Sequence, residues 1–319
     1  MPTPRLRVRA GARLHLGLLD LSGHTGRLYG GIGCILREPV VEMVATPSLA
    51  VDVRGDRVDR ETSGAIVRAA ERAVESLGAR PVSIEVLREL PAHSGFGSRT
   101  ATILATLAMV ARLSGLDVPS DRLVQLSRRG GVSGTGVHGF FQGGWIVDAG
   151  QPAGGPAVPS RLSRHETPSL LVSRIPPPDW PVGLFLIDAA AVSGTDEAEF
   201  FRGNAERAGA DATSCVAVAH HKIVPGLLTA DEALVGDGIR DLQNCGFKAL
   251  EISNQPSTVI TLIEHLRRIS PIVGMSSMGP LVYAIGGNAT QWASVAAQHG
   301  AWHLRTSVSP DAAEFTWLN

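Results

Sequence analysis

The stretch Pro91-Ala92-His93-Ser94-Gly95-Phe96-Gly97-Ser98-Arg99-Thr100-Ala101 carries residues suited to gripping an anion. Its glycines let the backbone turn tightly and let an anion approach the N–H groups. Ser94, Ser98 and Thr100 add hydroxyl donors, and Arg99 adds a charged fork that matches phosphate oxygens. A helix beginning at Ser98 would contribute the partial positive charge of its N-terminus. The stretch lacks the Gly-Lys-Ser/Thr ending of a P-loop. Two further turns have similar chemistry: Gly130-Gly131-Val132-Ser133-Gly134-Thr135-Gly136-Val137-His138-Gly139, and Gly274-Met275-Ser276-Ser277-Met278-Gly279-Pro280. Each alone could be a tight connection. Each ordered glycine loses extra backbone entropy, so all three together point to one anion-lined cleft.

These turns need elements to hold them. Leu6, Val8 and Ala10 alternate with arginines, and Leu14, Leu16 and Leu18 alternate with Arg13, His15 and Gly17. Period two predicts strands with one buried face. Ser22 to Gly33 contains Gly23, Gly26, Gly30, Gly31 and Gly33 and reads as a loop. Short strands are expected at 40–44, 49–53, 82–86, 145–147, 182–187, 281–285 and 302–308. Helices are expected at 62–77 (capped by Thr62 or Ser63, ended by Gly78), 98–113, 121–128, 197–220, 257–268 and 290–298. Residues 150–181 are rich in Pro and Gly and mark a domain boundary. Strands and helices mix without regular alternation, which predicts α+β rather than doubly wound α/β.

Composition narrows the function. At 319 residues, two domains are the natural count. A net charge of -1 offers no electrostatic footprint for nucleic acid. No apolar run approaches the roughly 20 residues of a membrane helix, and the N-terminus has no signal-like stretch. A cytoplasmic protein is the expectation. Cys34, Cys215 and Cys245 are odd in number and far apart, against a disulfide framework or a structural zinc site.

The residues Pro91–Ala101 resemble the second motif of the GHMP kinase superfamily, and Gly274–Pro280 resembles its third. The opening Ala12-Arg13-Leu14-His15-Leu16-Gly17-Leu18-Leu19-Asp20, with Gly26-Arg27 and Gly30-Gly31-Ile32-Gly33, is similar to the β-ribofuranosylaminobenzene 5'-phosphate synthases. So are Ser133–Gly136 with Gly143–Asp148, and Ser276–Pro280 with Val282-Tyr283. The formycin-type C-nucleoside synthases resemble the same branch. The resemblance implies a GHMP-type two-domain fold: a ribosomal protein S5 domain 2-like domain over 1–165 and a ferredoxin-like domain over 166–319. It implies C-glycosyl transfer from phosphoribosyl diphosphate to a ring carbon of an aromatic acid, with loss of diphosphate and carbon dioxide, as in methanopterin or C-nucleoside antibiotic biosynthesis. The acceptor would be 4-aminobenzoate-like or a pyrazole dicarboxylate.

GHMP kinases that use a catalytic base carry Ser-Gly-x-Asp where this chain has Ser133-Gly134-Thr135-Gly136, and Gly136 cannot abstract a proton. A small-molecule kinase using ATP, and a non-catalytic binding relative, stay as alternatives. Substrate-binding candidates are Arg13, His15, Arg27, Ser94, Gly95, Gly97, Ser98, Arg99, Thr100, Gly134, Thr135, Gly136, Ser276 and Ser277. His138 and Asp188 are the catalytic candidates, and Asp20 and Asp148 the candidates for holding Mg²⁺ as cofactor. Plainer accounts exist for Arg13 and His15 on the polar face of a strand, and for Asp20 as a turn residue. The charges of Arg99 and His138 fit a more acidic acceptor such as a dicarboxylate. Leu184–Asp188 with Ser193-Gly194-Thr195 partly resembles a type I phosphoribosyltransferase donor loop, but Ala189 replaces its second acid, and the likeness reads as chance. A homodimer is left open by edge strands and surface tryptophans.

Overall fold

Alternation along Arg5–Leu18 does produce a strand, and a long one. In the computed structural model, which describes residues 3–56, 58–91, 94–155, 157–160, 162–163, 167–187 and 195–318, β1 runs Arg5–Asp20. It pairs antiparallel with β2 (Arg27–Pro47), with register shifts at Gly11/Arg13 and His15/Gly17. The loop expected over 22–33 is therefore short. From Arg27 its glycines lie inside β2. The reason is close approach: a Cβ on Gly33 would sit 2.3 Å from the Leu14 carbonyl oxygen. Here glycine permits strand packing rather than turning.

The chain continues through β3 (Asp52–Arg54), α1 (Arg60–Leu77), β4 (Val82–Arg88), α2 (Ser98–Leu113), α3 (Ser120–Ser127) and α4 (Thr135–Gln142). Next come β5 (Trp145–Asp148), β6 (Gln151–Pro152) and β7 (Leu171–Ile175). Asp59, not Thr62 or Ser63, caps α1 by accepting from the Thr62 N–H, and Gly78 ends the helix in the left-handed conformation. Helix α2 is buried almost throughout; Thr102 and Thr106 satisfy their hydroxyls on the carbonyls of Ser98 and Thr102. It packs with α1 on one face of the first sheet, around Leu104, Leu107 and Met109.

The second half holds β8 (Pro181–Leu186), then α5 (Thr195–Gly209), α6 (Ala212–Val218), a π-helical turn at Ala219–Ile223, and α7 (Val224–Thr229). The single helix expected over 197–220 is thus broken. Helices α8 (Glu232–Gln243), α9 (Gly246–Ser253) and α10 (Ser257–Leu266) precede β9 (Ile272–Met275) and β10 (Leu281–Ile285). The chain ends with α11 (Trp292–Gln298), β11 (Trp302–Ser307) and β12 (Glu314–Leu318). Strands β11-β8-β10-β9 form an antiparallel sheet in that order, the ferredoxin-like arrangement. The architecture is α+β with two sheets. The first sheet reaches past the 165/166 boundary: β7 pairs β5, and β12 returns to pair β1.

A candidate active site where the glycine turns meet

The turn before α2 and the turn between β9 and β10 touch each other. Ser276 Oγ donates to the Gly95 carbonyl at 2.9 Å and accepts from the His15 N–H at 3.1 Å. The Ser277 N–H donates to the His15 carbonyl at 2.9 Å, and the Arg13 N–H to the Phe96 carbonyl at 2.9 Å. Strand β1 thus stitches both turns together. Two glycines make this possible. Gly95 (φ 95°) lies so close to Ser276 that a Cβ would be 2.7 Å from its carbonyl oxygen. Gly97 (φ 65°) leaves the space that the Arg13 side chain occupies; a Cβ would lie 2.3 Å from Arg13 Nε.

A cavity of about 180 Å³ opens there, lined by Arg13, Gly97, Arg99, Thr100, Arg129 and Ser277 among others. Gly97 is the N-cap of α2 and supplies no side-chain hydrogen bond; the Thr100 N–H bonds the Gly97 carbonyl at 3.3 Å, and Ser98, Arg99 and Thr100 of the first turn of this 16-residue helix line the cavity. A second hollow of about 590 Å³ shares Arg13 and Gly97 with it and is also lined by Gly136 and Phe140. Gly136 packs under the cleft: a Cβ would stand 3.2 Å from Thr100 Cγ2 and 3.5 Å from Arg13 Cδ.

Two buried guanidiniums, Arg13 and Arg129, face the cavity, whose lining also carries Glu61, Glu89 and Glu197. Arg13 Nη1 is buried with no hydrogen-bond partner among the described residues. Burial pulls the Arg13 pKa down to about 10, with Asp148 the foremost carboxylate opposing that fall. Arg129, at the foot of the second glycine turn, donates from Nε to Thr100 Oγ1 at 3.1 Å and from Nη1 to the Ser160 carbonyl at 3.3 Å. Burial, then Arg13 and Arg99, lower it to about 10. Both remain cations at neutral pH. Arg99 sits at the rim, paired with Glu61 at 2.8 Å, so its charge is already partly spent. His15 is buried, and desolvation with Arg13 and Lys248 holds it far below the usual imidazole range. It is neutral at pH 7, with Nε2 lacking a partner among the described residues.

Other expected residues are placed elsewhere. His138 Nε2 donates to the Ser169 carbonyl at 2.7 Å and reaches neither hollow. Asp148 accepts from the N–H groups of Gly134 (2.9 Å) and Gly150 (3.0 Å), tying the second turn to β5. Its burial raises it to about 7. Thr135 is buried behind Gly33. Arg27 donates to the carbonyls of Ala149 and Gly150. Asp20 closes a turn, accepting from Ser22, Gly23 and Thr25 through both oxygens. Its carboxylate lies low; those donors outweigh its desolvation. Ser276 is consumed in stitching, while Ser94 is buried in the turn. Asp188 lies outside the described residues.

Asp20 and Asp148, the residues expected to hold Mg²⁺, each accept hydrogen bonds from turn donors, and among the described residues no group of three His, Cys, Asp or Glu could hold a metal.

Sequence reasoning missed Arg129, Lys248 and Glu251. Arg129 had a signal, a basic residue next to Gly130-Gly131. Lys248 and Glu251 look like a solvated i,i+3 helix pair, yet both are buried and ion-paired under the cleft. Lys248 Nζ also donates to the Ser277 carbonyl at 2.7 Å.

Residues 65–144 match the family model described as GHMP kinases N terminal domain. Homoserine kinase from Cytophaga hutchinsonii superposes with a TM-score of 0.70 at 17% identity, covering 99% of this chain and 98% of its own. Phosphomevalonate kinase from Streptococcus pneumoniae gives 0.67 at 12% identity, with 99% and 100% covered. These likenesses define the fold as that of the GHMP class. Sequence goes further. The chain is 33% identical over 282 residues to the beta-ribofuranosylphenol 5'-phosphate synthase of Archaeoglobus fulgidus, covering 88% of this chain and 87% of that protein. It is 32% identical to the one from Methanothermobacter thermautotrophicus, with 88% of each covered. The chain belongs to the GHMP superfamily, in the branch of the beta-ribofuranosylphenol 5'-phosphate synthases. Among its described residues, no helix is long and apolar enough to cross a membrane.

Proposed function

We propose that this chain is a decarboxylating C-phosphoribosyltransferase. It joins the 5-phosphoribosyl group of phosphoribosyl diphosphate to a ring carbon of an aromatic carboxylic acid, releasing diphosphate and carbon dioxide. The observation that carries this reading is the cleft itself: a helix N-terminus without a side-chain cap beside buried Arg13 and Arg129, with Gly136 at the position where, by the sequence resemblance, those kinases of this class that use a catalytic base carry it.

The chemistry follows from charge. As C1–O cleavage proceeds, negative charge grows on the diphosphate and positive charge on C1. The N–H groups at the start of α2, the Arg13 and Arg129 guanidiniums and the Thr100 region stabilise the first without reorganising. Burial of the floor keeps water from the second. The two hollows meet at Arg13 and Gly97, so donor and acceptor can both lie against one guanidinium. Attack by the ring carbon that bears the carboxylate forms the C–C bond. The carboxylate then leaves as carbon dioxide, its bonding pair restoring the aromatic ring. No proton leaves the attacked carbon, so no general base is demanded.

The relatives' name contains a phenol, where the sequence resemblance pointed to an aminobenzene. Both carry an electron-donating group that enriches the ring carbon para to it. The acceptor proposed here is a benzoate with a hydroxyl or amino group para to its carboxylate. Arg99, already paired with Glu61, gives little support to a dicarboxylate. The test is mass spectrometry of products from phosphoribosyl diphosphate, Mg²⁺ and a panel of hydroxy-, amino- and pyrazole carboxylic acids. A decarboxylated C-riboside phosphate with stoichiometric diphosphate is expected. Formation of ADP from ATP with an alcohol, or binding without turnover across the panel, would overturn the reading.

A further inference from the structure

Two sulfur atoms 30 positions apart in sequence meet between α6 and α9, away from the cleft. Cys215 Sγ lies 3.0 Å from Cys245 Sγ, and both are free thiols. A disulfide bond is about 2.05 Å long, so the sulfurs need to close by only about 1 Å. The backbone at this point is shaped for the approach. Cys245 is extended (φ −127°, ψ 145°) just before α9, and Gly246 follows in the left-handed region at φ 52°. A Cβ on Gly246 would lie 2.7 Å from Cys215 Sγ. Glycine is what lets α9 begin this close to α6. Asp211 fastens the junction by accepting from the Gly246 N–H at 3.2 Å. The pair is asymmetric: Cys215 is buried, whereas Cys245 is partly exposed. Burial raises both pKa values, so the resting pair consists of thiols.

We propose that Cys215 and Cys245 are a reversible dithiol–disulfide couple, oxidised by small-molecule disulfides such as glutathione disulfide. The step balances as thiol–disulfide exchange. The Cys245 sulfur, deprotonated, attacks one sulfur of glutathione disulfide and expels a glutathione thiolate. Cys215, deprotonated in turn, attacks the Cys245 sulfur and expels the second glutathione. Two protein thiols and one glutathione disulfide become one protein disulfide and two glutathione thiols. The bond would lock the start of α9 to α6. Helix α9 carries Lys248, which holds the Ser277 carbonyl at the cleft, so the couple reports on the support of that turn.

The test uses the full chain, reduced, freed of reductant and incubated with excess glutathione disulfide. Denatured thiol titration should fall from three to one, with buried Cys34 remaining reduced. Non-reducing digestion should give a Cys215–Cys245 linked peptide about 2 Da lighter than the sum of its parts, since two hydrogens are lost. The oxidised protein should melt about 5 °C higher, because the link closes a loop of some 30 residues. Cys215→Ser and Cys245→Ser should each abolish the linked peptide and the shift. Three thiols surviving in folded protein, or a lasting glutathione adduct on Cys245 without the internal link, would overturn the proposal.

Discussion

Replacing Arg129 by Met should separate stability from function in opposite directions. In the free protein Arg129 is an under-compensated charge. Its fall to about 10 corresponds to roughly 3 kcal/mol opposing the charged form, from burial first and then Arg13 and Arg99. Met removes that opposition and keeps most of the side-chain volume. It also removes the bonds to Thr100 Oγ1 and Ser160, worth about 1 kcal/mol each. The net is about 1 kcal/mol in favour of Arg129→Met, so Tm should stay level or rise by about 2 °C. With an anionic ligand the sign reverses. Losing a charge-assisted contact of about 3 kcal/mol lowers kcat/KM about 100-fold. The assay pairs calorimetry with kinetics at varied phosphoribosyl diphosphate, and adds inorganic diphosphate as a thermal-shift probe. Diphosphate should raise Tm of the natural chain far more than that of the variant. If Arg129→Met instead drops Tm by more than about 5 °C while kcat/KM holds, Arg129 is a structural strut and the cleft argument fails.

Gly136→Asp should not create a kinase: a carboxylate about 4 Å from Arg13 would attract it by about 4 kcal/mol at an effective dielectric near 20, costing at least about 100-fold in transfer with no ADP formed from ATP. Product analysis with both donors checks this. Asp148 is raised to about 7, above its unfolded value, so the unfolded state binds fewer protons than the folded one between about pH 4 and 7. The stability of the natural chain relative to Asp148→Asn should therefore fall as pH rises through that window; a flat difference in denaturation midpoints would refute it. Asp20→Ala should cost about 2 kcal/mol by freeing the turn donors, yet leave the magnesium dependence of turnover unchanged; a shifted magnesium titration would make Asp20 a ligand after all.

Local rules made part of this molecule readable from its residues. Alternation at Leu6–Leu18 placed β1, Gly78 ended α1, and the Gly/Ser spacing at 94–100 and 274–280 marked the turns. Gly136 was legible as unable to act as a base because glycine has no titratable side chain; that some kinases carry a base at this position is what the resemblance implies. Glycine has two uses, however, and sequence cannot tell them apart. The run at 30–33 reads as a loop by its composition, and the tertiary contacts with Leu14 and Gly17 make it a strand. Carboxylate roles were equally ambiguous. Asp20 and Asp148 look alike as candidate ligands until backbone donors claim both. Arg129, Lys248, Glu251 and the meeting of Cys215 with Cys245 became visible only in three dimensions. Burial and long-range proximity decide whether a charge is solvated or stranded, and whether two thiols are neighbours. Both are properties of packing between segments far apart in the chain, which no local pattern encodes.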